Sequence, residues 1–381
     1  MRIVVLGYII RGPIGGMAWH HLQYVLGLAR MGHEVRFVED SDDYPSCYDP
    51  NRHVVDCDPA YGLRFAADAF ERVGLGDQWA YHDAHTSRWL GAASIDAEDF
   101  FRSADVVLNV SGVNPLRDWG SQVPVRVLID TDPVFTQVRH IVDDAARARA
   151  AEHTSFFTFA ENSSKGTARI PNDGFDWRST RQPVVVDAWP VAPSPRSGAY
   201  TTVMQWQSYP PVNHGGQWYG TKADSFEPYL DLPRSTSAVL EIALGGHDAP
   251  RDILREKGWR LQNPLDVART TTDFQDYVRG SRGELAVAKQ GYVVSNSGWF
   301  SERSTGYLAS GRPVITQDTG FSEWLPVGRG LFSFREKGEA VDAIQRIESD
   351  YEQHARQARK IAEDYFESGE VLSRLLNESS Q

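Results

Sequence analysis

Short apolar runs alternate with amphipathic stretches from the start of the chain. Ile3–Leu6 is an apolar run typical of a strand that is buried on both faces. Residues 17–31 carry apolar side chains at helical spacing, the pattern stops at Gly32, and Glu34–Val38 has the composition of a second strand. A strand, a helix and a second strand in this order predict a βαβ unit.

The same alternation continues through the first part of the chain. We expect further strands at Ala104–Val110, Val125–Ile129 and Thr154–Phe159, and helices over 61–73 and 136–152. Strands that alternate with helices in this way indicate a parallel sheet with helices on both faces.

A change in composition then divides the chain. Residues 187–197 are rich in Pro and Ser, which is typical of a linker. The strand pattern begins again after it, and the expected strands are Thr201–Trp206, Val239–Leu244, Gly291–Ser295 and Pro313–Thr316. The C-terminal part is charged and has helical periodicity.

The pattern therefore predicts an α/β protein built from two Rossmann-like halves. The expected domains are residues 1–190 and 198–345, followed by C-terminal helices at 346–381. A length of 381 residues agrees with this division, since domains average ~150 residues.

Composition and charge exclude several classes of protein. Two cysteines, Cys47 and Cys57, are too few for a four-cysteine zinc site or a disulfide framework. The formal net charge of −12 disfavours a dedicated nucleic-acid binder, because an acidic chain repels phosphate backbones. No apolar stretch approaches the ~20 residues of a membrane span. The first apolar run is short and ends at Arg11, and there is no cleavage pattern, so we expect a cytoplasmic protein.

The segment SNSGWFSERSTGYLASGRPVITQDTGF, residues 295–321, carries the strongest candidate chemistry. Ser301 is placed to cap a helix that begins near Glu302, and a helix N-terminus attracts anions. Arg303 and the nearby hydroxyl groups, Ser304 included, would complete a phosphate site. The following strand ends just before Asp318, at the sheet edge where doubly wound proteins bind ligands.

Two adjacent loops at one sheet edge favour a binding site over an ordinary capping box and an ordinary turn, which are the structural alternatives. Lys222, in the loop after the first strand of the second half, is a further candidate cation. The candidate ligand-binding residues are Gly15, Gly16, Lys222, Ser297, Gly298, Trp299, Ser301, Glu302, Arg303, Ser304, Asp318, Thr319 and Gly320.

The start of the first helix offers a second set of candidates. Gly15 and Gly16 allow a backbone to approach a ligand closely. His20 is a candidate for proton transfer near neutral pH, and His21 is the more obvious packing histidine.

Two carboxylates follow the strand at Val125–Ile129, in the sequence IDTDP. Asp130 and Asp132 could chelate a metal, orient a catalytic histidine or bind an acceptor hydroxyl. An Asx turn before Pro133 is the structural alternative. The sequence does not distinguish the two, and both are candidate catalytic residues.

Two of these segments resemble the GT-B glycosyltransferases. GYLASGRPVITQDTGF is similar to the donor-binding half, and GGMAWHHLQYVLGLARMGHEV is similar to the opening of retaining members. The matching residues are Gly15, Gly16, His20 and the run Gly32-His33-Glu34-Val35.

The resemblance implies two Rossmann-like domains that face each other across a cleft. The second domain would bind a nucleotide-diphosphate sugar and the first an acceptor, with no cofactor and no metal. A small-molecule or glycan acceptor fits the acidic chain better than a nucleic acid. The resemblance also implies that the last helix crosses back to the first domain, near Ser368-Gly369.

One position departs from the pattern. Many retaining members carry a glutamate where this chain has Gly306, and Glu302 is the nearest carboxylate. Retention or inversion of the sugar's configuration therefore stays open. A sugar-nucleotide epimerase and a non-catalytic nucleotide-sugar-binding protein are the alternatives.

Overall fold

A computed structural model describes residues 1–193, 195 and 197–380. Two residues of the predicted linker, Ser194 and Arg196, lie outside the described residues, as does the C-terminal Gln381. Within the described part of the chain, no helix has the length and hydrophobicity that a membrane span requires.

The first half of the chain contains ten strands and five α-helices. The strands are β1 (Arg2–Leu6), β2 (Glu34–Asp40), β3 (Cys47–Asp49), β4 (Val54–Asp56), β5 (Trp79–Asp83), β6 (Arg88–Leu90), β7 (Val106–Val110), β8 (Val125–Asp130), β9 (Ser155–Thr158) and β10 (Trp177–Ser179). The helices are α1 (Gly15–Arg30), α2 (Ala60–Arg72), α3 (Ala97–Arg102), α4 (Phe135–Val142) and α5 (Asp144–Ala151).

Eight of these strands form one sheet, in the order β10-β9-β8-β7-β1-β2-β5-β6. Every neighbouring pair is parallel except β5 and β6. The central strands β1 and β7 are largely apolar and are buried apart from Arg2, because helices cover both faces of the sheet.

The second half contains the remaining strands and helices. The strands are β11 (Tyr200–Gln205), β12 (Val212–His214), β13 (Gln217–Tyr219), β14 (Leu240–Gly245), β15 (Arg260–Gln262), β16 (Gly283–Ala286), β17 (Val314–Gln317) and β18 (Leu331–Phe334). The helices are α6 (Lys222–Phe226), α7 (Arg251–Lys257), α8 (Pro264–Val267), α9 (Thr271–Gly280), α10 (Gln290–Val294), α11 (Glu302–Ala309), α12 (Lys337–Ser349), α13 (Tyr351–Phe366) and α14 (Ser368–Ser379).

Six of these strands form an all-parallel sheet in the order β15-β14-β11-β16-β17-β18. The mainly parallel first sheet and the all-parallel second sheet confirm the predicted α/β class with two Rossmann-like domains. Below, "first domain" and "second domain" mean the parts of the chain built on these two sheets.

One predicted strand is wrong. Gly291–Ser295 was expected to be extended, but most of it lies in helix α10, where Gly291 packs against the ring of Phe135. The strand in this part of the second sheet is β16, which sequence analysis missed because its short sequence, GELA, contains a glutamate. Its Glu284 is fully buried and pairs with an arginine, so a charged residue occupies a core strand.

The single helix expected over 136–152 is also wrong in detail. It is broken into α4 and α5 at Asp143, which has extended backbone angles (φ −129°, ψ 102°). The Asp143 carboxylate accepts hydrogen bonds from the N–H groups of Ala145 and Ala146, at 3.0 and 3.1 Å, and so caps α5.

The last helix packs on the first domain. The Val184 N–H donates to the carbonyl of Phe366 at 2.7 Å, and the Ser368 N–H donates to the carbonyl of Val184 at 2.9 Å. Helix α14 then lies so close to α1 that a Cβ on Gly27 would stand 2.7 Å from the side chain of Leu372. The chain thus returns to its first domain at the break between α13 and α14.

Candidate active site

A cavity of about 390 Å³ lies between the carboxyl ends of the two sheets. Side chains from both domains line it. Eight of the sequence-predicted residues are among them: Gly16, His20, Asp132, Lys222, Trp299, Ser301, Glu302 and Arg303. The fold therefore brings together candidates that lie almost three hundred positions apart in the sequence, as far as from Gly16 to Arg303.

Helix α11 points its N-terminus at this cavity. Ser301 precedes the helix with an extended backbone (φ −79°, ψ 136°), and its hydroxyl accepts a hydrogen bond from the Arg303 N–H at 3.2 Å. This is the cap expected from the sequence. The helix N-terminus and the cavity meet at Ser301, Glu302 and Arg303.

Among the positively charged side chains that line the cavity, Lys222 is the one whose charge is least balanced by neighbouring carboxylates. Helix α6 begins at this residue, behind a capping box formed by Thr221 and Asp224. Its ammonium has no hydrogen-bond or ion-pair partner in residues 1–193, 195 and 197–380. Burial lowers the pKa of Lys222 to about 7, and the charges of Arg303 and Lys289 add to the effect. An anion bound in the cavity would relieve this cost.

Two nitrogens of the Arg303 guanidinium already form hydrogen bonds within the second domain. Its Nε donates to the Glu284 carboxylate at 2.6 Å, and its Nη1 donates to the carbonyl of Val203 at 2.9 Å. Its Nη2 is left without a partner among the described residues. The guanidinium is therefore held in a fixed orientation at the cavity wall, with one nitrogen available to a ligand.

The two adjacent histidines, His20 and His21, have different surroundings. His20 lines the cavity, and burial lowers its pKa while the Glu302 carboxylate across the cleft opposes that shift. His21 is fully buried outside the cavity, and burial holds its pKa well below the ordinary value. The ring of His21 packs against Phe37.

The two aspartates of IDTDP also have different surroundings. Asp130 is buried and accepts hydrogen bonds from Gln137 at 3.0 Å and Thr158 at 2.7 Å, and burial raises its pKa. It also accepts from the Asp132 N–H at 2.9 Å, so it fixes the loop between β8 and α4. Asp132 is the aspartate that faces the cleft.

Asp132 binds three side chains of the second domain that sequence analysis left out of the candidate site. Lys289 donates to it at 2.9 Å, Tyr209 donates through its hydroxyl at 2.5 Å, and Tyr292 donates as well. No sequence signal marks these partners as neighbours of Asp132, because Tyr209 lies on one loop of the second domain, whereas Lys289 and Tyr292 lie at the start of helix α10. In the described part of the chain, no three His, Cys, Asp or Glu side chains lie close enough to hold a metal ion.

Gly15 and Gly16 lie where the two domains touch. A Cβ on Gly15 would stand 2.0 Å from the carbonyl oxygen of Thr270, and one on Gly16 would stand 3.2 Å from the ring of Phe274. Gly15 does not line the cavity, and its N–H donates to the carbonyl of Ala268 at 2.8 Å. These two glycines let the domains approach closely. Of the two, only Gly16 lines the cavity, where a ligand could contact it.

The remaining candidates lie behind the cavity wall. Asp318 accepts hydrogen bonds from Ser322 at 2.8 Å and Arg335 at 3.0 Å, and the carbonyl of Thr319 accepts from the Gly298 N–H at 2.8 Å. Contacts of this kind hold the two loops in place. Three further candidates also lie outside the cavity lining: Ser297, Ser304 and Gly320.

Trp189 occupies the space next to Gly306, the position at which the sequence departs from the retaining pattern. A Cβ on Gly306 would lie 3.0 Å from the Trp189 indole, which is 2% exposed and lines the cavity. The indole also packs against Trp19, with ring centroids 5.1 Å apart. Sequence analysis placed Trp189 in the linker region and did not identify it as a site residue.

No protein-family model and no curated protein matches the chain. Solved structures do match it over its whole length. AviGT4, a glycosyltransferase involved in avilamycin A biosynthesis, is 12% identical with a TM-score of 0.56, covering 99% of this chain and 96% of that one. An alpha-glucosyltransferase in complex with UDP is 11% identical with a TM-score of 0.59, covering 100% of both chains.

A third similar structure is Anabaena Alr3699/HepE in complex with UDP and glucose. It is 12% identical with a TM-score of 0.57, and the match covers 100% of this chain and 99% of that one. At identities this low, the structural matches establish a shared fold and nothing more. The chain therefore has the GT-B fold, with two Rossmann-like domains that face each other across a cleft.

Proposed function

We propose that the protein is a glycosyltransferase that moves a sugar from a nucleoside-diphosphate donor to an acceptor in the interdomain cleft. One observation carries the proposal: the ammonium of Lys222 lies in the cavity with no ion-pair partner among the described residues, close enough to Arg303 for the two charges to interact. Two cations at a helix N-terminus suit a diphosphate. Similar structures hold UDP, which supports the same assignment.

The transfer breaks the bond between the sugar's anomeric carbon and the β-phosphate oxygen, and forms a bond from that carbon to an acceptor oxygen. Negative charge develops on the leaving diphosphate. Lys222, Arg303 and the N-terminus of α11 would stabilise that charge, because they are fixed in place before the reaction.

The acceptor hydroxyl loses a proton in the same reaction. His20 is the available base, since its lowered pKa keeps the imidazole neutral near pH 7. Glu302, on the opposite wall, is the carboxylate nearest the family's glutamate position and would contact the sugar.

We further propose that the reaction needs neither a metal nor a cofactor. Lys222 and Arg303 supply the positive charge that a divalent cation would otherwise provide. Turnover should therefore survive EDTA. Loss of activity on chelation, restored by Mn²⁺ or Mg²⁺, would contradict this part of the proposal.

The acceptor is proposed to be a small molecule or a glycan. One similar alpha-glucosyltransferase is described in complex with DNA, but the net charge of −12 here would repel a phosphate backbone. The direct test is mass spectrometry of reactions with a panel of UDP-, dTDP-, GDP- and ADP-sugars and mixed acceptors. A product heavier by one sugar supports transfer. An isomerised donor would indicate an epimerase, and bound but unchanged donor a non-catalytic binding protein.

A further inference from the structure

A second cavity, of about 450 Å³, lies in the first domain next to the cleft. Helices α4 and α5 and the loop after β7 line it, and its volume is in the range of ~300–1,000 Å³ found for ligand sites. Ser111 lines both cavities. The loop after β8 also serves both, since Asp130 faces the second cavity and Asp132 the cleft.

We propose that this second cavity binds a carbohydrate unit of the acceptor. The inference rests on the proposed transferase function, and adds to it a place and a chemical class for the acceptor. A ligand seated there could reach past Ser111 to present a hydroxyl group to the donor in the cleft.

A buried histidine in the cavity wall is held in a fixed orientation and has one ring nitrogen available to a polar ligand. His140 is 3% exposed and lines the cavity, and its Nδ1 is 2.8 Å from the Asp173 carboxylate. Asp173 also accepts a hydrogen bond from the Trp177 indole at 2.9 Å. The other ring nitrogen, Nε2, has no partner among the residues that the structure describes, so it is available to a hydroxyl group, which can both donate and accept.

The charges in the cavity favour hydroxyl groups over an anion. Arg149 is paired with Asp42 at 2.7 Å, and the carboxylates of Asp143 and Glu152 also line the wall. An anion would meet these carboxylates at short range. Hydroxyl groups both donate and accept, so a saccharide can bond to carboxylates and to the Arg139 guanidinium together.

Two aromatic rings complete the site. Tyr8 and Tyr44 line the same cavity, and Tyr44 is 54% exposed. Sugar rings present apolar C–H faces alongside their hydroxyl groups, and aromatic faces pack against such surfaces. A wall that combines tyrosine rings with donors and acceptors of both charges therefore fits a carbohydrate.

The experiment uses saturation-transfer NMR of the full-length protein with the methyl glycosides of glucose, galactose, mannose and N-acetylglucosamine, and with maltose. Each sugar is measured with and without a saturating mixture of UDP, dTDP, GDP and ADP. We expect at least one sugar to bind and its signal to persist with the nucleotides present. If no sugar binds, or if the nucleotides displace it, the proposal is overturned.

A matched pair of variants locates the sugar. Ala146 lines the cavity and Ala148 is an exposed residue on the same helix that does not. Ala146→Trp should fill the cavity and weaken sugar binding at least about tenfold, whereas Ala148→Trp should leave it unchanged. Equal binding by the two variants would overturn the proposal. Nucleotide affinity should be the same in both, which separates this test from that of the transferase function.

A second variant covers the case in which Ala146→Trp does not fold. His140→Phe keeps an aromatic ring beside Phe175 and Trp177 but removes both ring nitrogens, Nε2 and the Nδ1 that contacts Asp173. Loss of one hydrogen bond should weaken sugar binding about two- to tenfold. Unchanged affinity, or displacement of the sugar by inorganic phosphate, would contradict a carbohydrate site, and the second of these results would indicate an anion site.

Discussion

The carboxylate of Asp132 accepts a hydrogen bond of 2.9 Å from the ammonium of Lys289, and this ion pair joins the two domains across the cleft. The side chains are 30% and 14% exposed, so solvent screens their attraction less than it would on the surface. The hydroxyl of Tyr209 donates to the same carboxylate at 2.5 Å. These contacts stabilise the arrangement of the two domains that the structure shows.

Asp132→Asn and Lys289→Met should each shift the protein toward a more open arrangement, because either change removes the ion pair. Small-angle X-ray scattering should show a larger radius of gyration for both. A double-mutant cycle on the free energy of unfolding should give a coupling of about 0.5–3 kcal/mol.

Asp276→Asn is the matched control for this pair. Asp276 and Arg279 form an exposed ion pair of 2.6 Å inside helix α9, so its loss should not change the radius of gyration. A radius of gyration that stays at the wild-type value in both cleft variants would show that the ion pair does not hold the domains together.

Gly306→Glu should destabilise the protein, although it places a glutamate at the position where the resemblance implies one in many retaining glycosyltransferases. Its Cβ would stand 3.0 Å from the Trp189 indole, and such overpacking costs about 1–3 kcal/mol. Gly338→Glu is the control, because Gly338 also lies in a helix and no atom lies within 4 Å of its added Cβ. Urea denaturation measures both variants. If Gly306→Glu is as stable as the control, α11 moves away from Trp189 easily.

His20→Ala should reduce turnover at least about tenfold, since general base catalysis contributes ~10²–10⁴ in rate. Its effect on nucleotide affinity should be small, because the proposed diphosphate site is on the second domain. His21→Ala should lower the melting temperature instead, because His21 is buried in the core. Steady-state kinetics and thermal denaturation of the two variants separate these roles. A normal turnover number for His20→Ala would remove it from the mechanism.

The sequence was sufficient for the fold and for one wall of the site. Apolar periodicity located five strands of the first sheet, β1, β2, β7, β8 and β9, but not β5, β6 or β10, and local capping chemistry located the start of α11 at Glu302. Signals of this kind depend on neighbouring residues, so they are visible without a structure. In the second sheet the apolar pattern missed β16, where Glu284 is buried in an ion pair with Arg303.

Contacts between distant segments could not be predicted. Lys289 and Tyr209 are neighbours of Asp132 only because two loops of the second domain close on the first. Trp189 lies in the segment predicted as a linker, yet its indole fills the cleft beside Gly306. These positions follow from the packing of one domain on the other, which no local pattern encodes.

Proton-linked binding at Lys222 tests the central claim, that the cleft holds a nucleoside diphosphate. The pKa of Lys222 is lowered to about 7 in the free protein, and a bound diphosphate should raise it. Above about pH 7 the free protein has lost this proton and the complex retains it. Affinity should therefore fall up to about tenfold per pH unit as the pH rises from about 7 to about 9.

Isothermal titration calorimetry with UDP, dTDP, GDP and ADP, in buffers of different ionisation enthalpy, measures both the affinity and the protons taken up. At about pH 8 we expect at least one nucleotide to bind with uptake of nearly one proton. Lys222→Met should bind it more weakly, without the uptake or the pH dependence. If no nucleotide binds, or if Lys222→Met binds with the same affinity and the same proton uptake, the cleft is not the diphosphate site.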